Sequence, residues 1–371
     1  MALACIAHAL PGIRGLTPYQ PGKPIEELQR ELGLSGVIKL ASNENPLGAS
    51  PKAKAAAEAA LGELQLYPDG SGFRLKRALS EKLGVGPGQI TLGNGSNEIL
   101  ELLARVFLAP GRSALFSEYA FAVYPIVTQA VGAEARLAPA HGPEHDMPLG
   151  HDLAAFRARL DTSVRLVFIA NPNNPTGTWL APEAIAGFLR SVPDDVVVVL
   201  DEAYYEYMTP ALRPDSLALL ARHPNLVITR TFSKVYGLAA LRAGYSISHP
   251  EIADLLNRAR QPFNSNSLAL AAAEAALDDD AHVQRSVANN REGLQALAAG
   301  LQALGLRCLP SQANFLTFDL GRPATAAYDA LLRQGVIVRP LVPYAMPNHL
   351  RVTVGTPVEN QRFLAALRQA L

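Results

Sequence analysis

The chain has 371 residues, of which 49% are hydrophobic and 18% are charged, and its 33 basic and 33 acidic residues give a formal net charge of 0. This composition excludes a disordered chain. It also argues against a general affinity for nucleic acid or for anionic membranes, and no apolar run approaches the ~20 residues of a membrane-spanning helix. A chain of this length can bury a large core and is expected to divide into two lobes.

The cysteines and the N-terminus bear on location. Cys5 and Cys308 have no spacing typical of a metal site or a disulfide framework, so we expect no metal and a reducing, cytoplasmic location. The apolar segment Met1–Leu10 has no basic flank and is followed by Pro11-Gly12. We therefore interpret it as a docking segment and not as a signal peptide.

In the first 89 residues the sequence predicts a short helix over Pro24–Glu31, a strand over Val37–Leu40 and a helix over Arg74–Leu83. From about residue 90, short apolar runs alternate with helical patterns, as in βαβ units around a mostly parallel sheet with covered faces. The predicted strands are Ile90–Leu92, Ser113–Phe116, Val164–Ala170, Val196–Leu200, Leu226–Ile228 and Ala243–Ile247. The helices between them include Asn97–Phe107, Ala122–Val131, Pro182–Arg190 and Ile252–Arg258.

After residue 265 this alternation ends. A long helical pattern runs from Leu268 to about Leu304, followed by three predicted strands and a last helix, Glu359–Ala370. The strands are Phe315–Phe318, Val336–Arg339 and Leu350–Val354. The fold class is therefore α/β, with a large domain over residues 45–265 and a smaller α+β domain formed by residues 1–44 and 266–371.

Polar clusters follow several predicted strands, where ligands of α/β sheets collect. The turn from Gly93 to Glu98 joins a strand to a helix, so Ser96 is either an ordinary N-cap or part of an anion site at the helix N-terminus. The loop from Asn171 to Gly177 holds two prolines, which would fix the amide of Asn174 in the crevice or make a structural turn.

Two further clusters carry charge. Asp201 directly follows the apolar run Val196–Leu200, where a carboxylate needs a cationic partner unless it only caps a helix, and Tyr204 lies three residues on. The stretch Thr229–Tyr245 places Lys234 after a buried strand, near Arg242. Lys234 alone could be a surface lysine, but small hydroxyl groups and an arginine suit an amine nucleophile beside an anion.

In order and spacing, these four motifs resemble those of the fold-type I, pyridoxal-phosphate-dependent aminotransferases along nearly the whole chain. The resemblance extends to the histidinol-phosphate aminotransferase branch. It rests there on the stretches Leu16–Tyr19, Ser42–Gly48, Tyr67–Gly70 and Gly335–Gly355.

The resemblance implies pyridoxal 5′-phosphate as the cofactor. Lys234 would bond covalently to its aldehyde and move the substrate proton, with its pKa lowered by Arg242. Asp201 would hold the ring nitrogen protonated, while Asn174 and Tyr204 would bond the ring 3′-oxygen. The phosphate would lie among Gly95, Ser96, Asn97, Thr231, Ser233 and Arg242. Phe121 would stack on the ring, or it is a core phenylalanine.

For the substrates, the resemblance implies transamination between histidinol phosphate and 2-oxoglutarate. Arg339 and Arg351 would bind their phosphate and carboxylate groups. Tyr19 and Tyr67 would contact the substrate phosphate, Tyr67 from the neighbouring subunit of a homodimer, although both could be packing tyrosines. Asn45 is a further candidate for the substrate site.

Three alternatives remain open at this stage. The loop Leu341–Pro347 departs from the Gly-Tyr-Gly form associated with the histidine pathway, so an aromatic amino-acid aminotransferase for phenylalanine or tyrosine is the nearest alternative. A threonine-phosphate decarboxylase would use similar arginines. A non-enzymatic protein that binds pyridoxal phosphate is disfavoured because Lys234, Asp201 and Arg242 are all present and no DNA-binding module is evident.

Overall fold

The computed structural model of the chain describes residues 3–371, so Met1 and Ala2 of the predicted docking segment lie outside it. The α-helices are α1 (Pro11–Arg14), α2 (Ile25–Leu32), α3 (Pro51–Ala60), α4 (Phe73–Leu83), α5 (Ser96–Phe107), α6 (Val123–Ala130), α7 (Leu153–Arg159), α8 (Pro182–Leu189), α9 (Ser216–Leu220), α10 (Pro250–Ala259), α11 (Ser267–Leu277), α12 (Asp280–Ala303), α13 (Thr325–Arg333) and α14 (Pro357–Ala370). The strands are β1 (Ile38–Lys39), β2 (Ile90–Asn94), β3 (Ser113–Ser117), β4 (Glu134–Ala138), β5 (Val164–Ala170), β6 (Val197–Asp201), β7 (Leu226–Thr231), β8 (Ala243–Ile247), β9 (Arg307–Cys308), β10 (Phe315–Asp319), β11 (Val336–Ile337), β12 (Arg339–Pro340) and β13 (His349–Thr353).

A seven-stranded sheet in the order β2-β8-β7-β6-β5-β3-β4 forms the centre of the larger lobe. All neighbours pair in parallel except β8, which is antiparallel to both β2 and β7. The carboxyl ends of β5, β6 and β7 therefore meet at one edge of the sheet. This is the edge that the sequence predicts for the ligand.

The middle of each central strand is apolar because both faces of the sheet are covered, and the polar residues lie toward the strand ends. Along β6, Val198 and Leu200 belong to one hydrophobic cluster and Val197 and Val199 to another, and all four side chains are buried. Since side chains of a strand alternate between faces, a continuous apolar run satisfies both layers at once. The mostly parallel α/β sheet expected from the sequence is confirmed.

Some elements differ from the sequence-based expectation. The sequence does not predict the strand β4, because it is a largely exposed edge strand without an apolar run. The helical pattern from Leu268 to Leu304 is two helices, since the Asp279 side chain caps α12 by accepting from the backbone N–H of His282 at 3.1 Å. No helix within residues 3–371 combines the length and the apolar character needed to cross a bilayer.

The smaller lobe is built on a four-stranded antiparallel sheet in the order β12-β13-β10-β9. The helices α12, α13 and α14 pack against it around a separate hydrophobic cluster. A short parallel pair, β1 with β11, attaches the N-terminal part of the chain to this lobe. The strand predicted over Val336–Arg339 is divided between that pair and the four-stranded sheet.

Two contacts bear on the domain boundaries, which remain a prediction. The α1 segment lies on α6 of the larger lobe, where the Gln129 side chain donates to the carbonyl of Gly12 at 2.9 Å, although the sequence predicts that residues 1–44 belong to the smaller domain. The helix α11 packs on α3 and α4 and shares their hydrophobic cluster. We infer a boundary near residue 278, beyond the predicted 265, because α12 is the first helix that joins the smaller cluster.

Candidate active site

A cavity of about 350 Å³ lies at the carboxyl ends of β5, β6 and β7, between the two lobes. Most of the predicted site residues line it. These are Tyr19, Ser96, Asn97, Phe121, Asn174, Asp201, Tyr204, Thr231, Ser233, Lys234, Arg242, Arg339 and Arg351.

Three predicted site residues do not line this cavity. Gly95 lies directly before the lining residue Ser96, in the turn that leads into α5. Asn45 is buried, and its side-chain nitrogen donates to the Val235 carbonyl at 2.8 Å and to the Ser286 hydroxyl at 2.9 Å. The amide of Asn45 is thus bonded within the protein, and the structure does not bring it to the cavity. Tyr67 is 82% exposed and stacks on Phe263.

Lys234 follows β7, and its Nζ lies 3.3 Å from the carbonyl oxygen of Ser42 and 5.7 Å from the ring centre of Tyr204. Burial lowers the pKa of its amine to about 8, because a charged ammonium is poorly solvated there. Arg351 is the next largest cause, and the effect of Arg242 is smaller. The sequence-based explanation, which named Arg242 alone, is therefore incomplete.

Asp201 ends β6 and is 4% exposed. One carboxylate oxygen accepts from the hydroxyl of Tyr124 at 2.9 Å, and the other accepts from the hydroxyl of Thr229 at 3.1 Å. Burial raises the pKa of this carboxyl above its usual range. Both hydrogen-bond partners are neutral, so a protonated ring nitrogen would supply the positive charge that a buried carboxylate needs.

Ser96, Thr231, Ser233 and Arg242 form a polar cluster on one side of the cavity. Arg242 donates to the Ser233 hydroxyl at 3.2 Å, and the Ser233 amide donates to the Thr231 hydroxyl at 3.1 Å. Ser96 is the first residue of α5, whose N-terminus has no side-chain cap, so Ser96 is not the N-cap itself. A phosphate fits this set of hydroxyl groups, backbone N–H groups and one arginine.

Two glycines make this cluster possible. Gly95 has φ 75°, and a Cβ there would collide with the Arg242 guanidinium. Gly244, on β8, lies against the backbone of Gly95 and Ser96, where a Cβ would also collide. The turn before α5 can therefore approach both β8 and the arginine closely.

Asn174 and Arg351 meet in the cavity. The Nη1 of Arg351 donates to the Oδ1 of Asn174 at 2.5 Å, and its Nη2 donates to the Ala41 carbonyl at 2.9 Å. With its oxygen occupied in this way, the amide of Asn174 retains its N–H donors for the cavity. This agrees with the sequence-based expectation that Asn174 is a donor.

Arg351 and Arg339 are direct neighbours on the antiparallel strands β13 and β12. Both are buried, with exposures of 4% and 5%. Arg339 donates to the Gln20 carbonyl at 2.6 Å, and its guanidinium lies 5.6 Å from the ring centre of Tyr19. The hydrogen-bond acceptors of both guanidinium groups are uncharged carbonyl or amide oxygens, and like charges side by side repel. An anion in the cavity would relieve this repulsion.

Sequence reasoning missed two residues that touch the predicted site residues. Tyr124 is fully buried, stacks on Phe168 at 4.6 Å and bonds to Asp201. Asn43 donates to the hydroxyl of Tyr204 at 2.9 Å. A tyrosine within an apolar segment signals a buried hydroxyl that needs a partner, but only the fold identifies that partner. Phe121 lies at the cavity and meets the Tyr124 ring edge-on at 5.8 Å.

A buried ion pair is adjacent in sequence to two site residues, since Glu202 follows Asp201 and Arg230 precedes Thr231. The guanidinium of Arg230 is 2.8 Å from the carboxylate of Glu202, and the two side chains are 7% and 0% exposed. Arg230 also lies over the ring of Tyr205 at 4.1 Å. This pair is on the opposite side of the sheet from Asp201 and Thr229, because side chains alternate along β6 and β7.

Comparison with known proteins defines the class. Residues 35–367 match the family Aminotransferase class I and II, and the chain belongs to this family. It is 59% identical over 368 residues to histidinol-phosphate aminotransferase 2 of Pseudomonas fluorescens Pf0-1, covering 99% of this chain and 98% of that one. It is 58% identical over 363 residues to the protein of the same name from Methylococcus capsulatus, covering 98% of each.

Among solved structures, the chain resembles histidinol-phosphate aminotransferase from Sinorhizobium meliloti, which was crystallised in complex with pyridoxal 5′-phosphate. The TM-score is 0.88 at 29% identity, over 97% of this chain and 96% of that chain. The chain is accordingly an aminotransferase, and the recognition made from its motifs is confirmed.

Proposed function

We propose that this chain transfers the amino group of L-histidinol phosphate to 2-oxoglutarate, giving imidazole acetol phosphate and L-glutamate, with pyridoxal 5′-phosphate as its cofactor. The observation that carries the proposal is the buried pair Arg339 and Arg351, which lines the same cavity as the Lys234 amine. The names of the relatives support the same substrate and do not favour an aromatic amino-acid aminotransferase.

The cofactor would be held along the cavity by residues whose chemistry matches its groups. Asp201 would face the ring nitrogen, Asn174 and Tyr204 the phenolic oxygen, and Phe121 the ring. The phosphate would lie against Gly95, Ser96, Asn97, Thr231, Ser233 and Arg242. When bound, pyridoxal phosphate supplies an aldehyde that links to amines and a protonated ring that accepts the electron pair left at the substrate Cα.

Lys234 is the group that moves protons. With a pKa of about 8, a useful fraction of its amine is neutral near physiological pH, as both the attack on an aldehyde and proton abstraction require. The Ser42 carbonyl holds Nζ at 3.3 Å. Lys234 Nζ would take the proton from the substrate Cα and return it to the cofactor C4′ atom.

The two arginines would bind the anionic ends of both substrates. A guanidinium pair accepts phosphate and carboxylate alike, so one site would serve the phosphate of the amine and a carboxylate of 2-oxoglutarate or glutamate. Tyr19, held close to Arg339, would complete the contact with the phosphate.

The active unit would be a homodimer with shared active sites. Tyr67 is poorly covered by its own chain, since 82% of its surface is exposed and its ring stacks on Phe263, which is itself half-exposed. Other large apolar side chains exposed in the same part of the sequence are Leu61, Leu64, Leu66 and Phe73. A second copy covering this surface would receive Tyr67 into its cavity. The two free cysteines, one of them exposed, support a cytoplasmic location.

One assay separates the candidate functions. Purified protein is offered histidinol phosphate, phenylalanine or tyrosine, each with 2-oxoglutarate, and kcat/KM for glutamate formation is compared. We expect histidinol phosphate to be preferred. A preference for phenylalanine would overturn the substrate but keep the reaction class, and release of carbon dioxide from threonine phosphate would identify a decarboxylase.

The cofactor has its own test. Holoprotein is expected to be yellow, with a visible absorption band that titrates with pH. Borohydride reduction should abolish this band and leave the reduced cofactor covalently attached to Lys234. A protein that gains no visible band with added pyridoxal phosphate would overturn the entire proposal.

A further inference from the structure

We infer that Asn43 is a positioning residue: it occupies the acceptor side of the Tyr204 hydroxyl, so that this hydroxyl must donate its hydrogen into the cavity. The inference rests on the proposed function, because the acceptor in the cavity would be the phenolic oxygen of the cofactor. It concerns a residue to which the sequence motifs assign no role.

Asn43 is held tightly at the cavity wall. It is 2% exposed, lines the cavity and has φ 56°, a left-handed conformation that asparagine tolerates better than other side chains with a Cβ. Its backbone N–H donates to the Thr353 hydroxyl at 3.0 Å, and its carbonyl accepts from the Asn314 side chain at 3.0 Å. These two bonds, both made with the smaller lobe, hold the unusual backbone conformation.

Thr353 also fixes which way the Asn43 amide points. Its hydroxyl accepts from the Asn43 N–H, and it donates its own hydrogen to the Asn43 Oδ1 at 3.0 Å. The amide oxygen is therefore turned toward β13. The amide nitrogen is left to donate to the Tyr204 hydroxyl at 2.9 Å. With the amide flipped, an N–H donor would replace the Oδ1 atom that accepts the Thr353 hydrogen.

The direction of the Asn43 bond determines what Tyr204 can do. A phenol has one hydrogen to donate, and its oxygen here accepts from Asn43. Burial raises the pKa of Tyr204 far above its usual range, so the hydroxyl keeps its hydrogen. Within residues 3–371, no protein group accepts the hydrogen of this hydroxyl. Tyr204 lines the cavity, and its ring is fixed edge-on against Phe315 at 5.4 Å.

The consequence for the reaction is electrostatic. A donor to the phenolic oxygen stabilises negative charge on it and so lowers the pKa at which the bound cofactor changes its visible band. Without Asn43, the Tyr204 hydroxyl could rotate or use its hydrogen elsewhere, and this stabilisation would weaken. Asn43 would thus adjust the cofactor without touching it.

The test is the pH titration of the visible band in the holoprotein. Asn43→Gly removes the donor and keeps the left-handed backbone without strain. We expect the pKa of the band to rise by about one unit, the size expected for one hydrogen bond to a charged oxygen. Tyr204→Phe should raise it at least as much. Asn289→Ala, which removes a half-buried asparagine that donates to the Gly355 carbonyl, is the control and should leave the band pKa unchanged.

A double-mutant cycle separates positioning from a merely structural role. If Asn43 acts through the Tyr204 hydroxyl, most of the shift caused by Asn43→Gly disappears in the Tyr204→Phe background. An equal shift in both backgrounds, or no shift in either, would overturn the inference.

Asn43→Asp gives a second variant of nearly the same shape. Its carboxylate would accept the Tyr204 hydrogen and draw it away from the cavity, so the band pKa should rise further than with Asn43→Gly. An unchanged band in Asn43→Asp would also contradict the inference. If the wild-type protein forms the band and transaminates, but these variants show the same band pKa as the wild type, the inference about Asn43 fails and the proposed function stands. A wild-type protein without a band would instead overturn the proposed function.

Discussion

The two sides of the cavity are built in different ways. Asp201 and Thr231 end neighbouring parallel strands, and Asn174 and Lys234 follow such strands within a few residues. The substrate side joins Tyr19, near the N-terminus, to Arg339 and Arg351 on the sheet of the smaller lobe. The residues of the cofactor side therefore belong to short local motifs, whereas the substrate side depends on contacts between residues more than 300 positions apart.

This difference teaches where each property of the enzyme resides. Changes on the cofactor side should affect every substrate equally, because the proposed reaction always passes through Lys234 and Asp201. Changes on the substrate side should alter KM according to the anion that each substrate carries. Variants of the two sides can therefore be distinguished by how their effects divide between kcat and KM.

The largest expected effect is that of Lys234→Ala. The loss of both the covalent link and the proton carrier should lower kcat by about 10⁴-fold or more for every amine. Turnover is measured as glutamate formed by holoprotein in excess substrate. Lys54→Ala, on the exposed face of α3, is the matched control and should keep full activity. Comparable turnover in Lys234→Ala and the control would mean that the cofactor side has been assigned wrongly.

Asp201→Asn should have the next largest effect. It keeps the shape of the side chain but removes the charge that would hold the ring nitrogen protonated, so we expect kcat to fall by about 10²- to 10³-fold. KM for both substrates should change little. The kinetic constants are compared with those of Asp254→Asn, a substitution at a half-exposed carboxylate on α10. A loss confined to one substrate would contradict the division between the two sides.

Arg351→Ala tests the substrate side. It removes a buried cation, and KM should rise by roughly 10- to 100-fold for both the phosphorylated amine and 2-oxoglutarate. Arg258→Ala, at an arginine 74% exposed on α10, serves as the control. If KM rose for one substrate only, the two substrates would not share an anion site.

A smaller effect should appear in the pH dependence of Lys234 in the protein freed of cofactor. Only the neutral amine reacts with acylating reagents, so labelling of Lys234 should be weak at low pH and half-maximal near pH 8, where its pKa lies. Arg351→Ala removes a cation that lowers this pKa and should move the midpoint upward. Glu44→Gln removes an anion that raises it and should move the midpoint downward. Labelling at Lys234 is measured by mass spectrometry, and shifts of the same sign in both variants would contradict this account.

Asn45→Ala should leave kcat and KM within about twofold of the wild type while lowering the free energy of unfolding by about 1–3 kcal/mol, the cost of its lost buried hydrogen bonds. Urea unfolding of the holoprotein gives the stability. An increase in KM without a loss of stability would indicate that Asn45 contacts the substrate after all.

The sequence allowed much of the cofactor side to be predicted because its motifs are short and follow buried strands. Asn174, Asp201 and Lys234 follow the apolar runs of predicted strands, and Arg242 directly precedes one. The role proposed for Asn43 could not be found in this way. Its contact with Tyr204 spans 161 residues and depends on how the two lobes meet, which no local pattern records.

The edge strand β4 and the position of Asn45 illustrate the same limit. An exposed strand needs no apolar run, so its hydrophobic pattern is weak. Asn45 lies in a motif shared with neighbouring site residues, yet its amide turns toward Val235 and Ser286. Membership of a motif places a residue near a site, but the direction of its side chain follows from packing.

The buried pair of Glu202 and Arg230 has a consequence for how β6 and β7 align during folding. Asp201 is paired with Thr229 across these strands, and the charged pair comes one residue later on the other face. A slip of β6 by one residue would send Glu202 to the cavity face and leave Arg230 buried without its carboxylate. The ion pair thus favours the alignment in which Asp201, and not Glu202, faces the cavity.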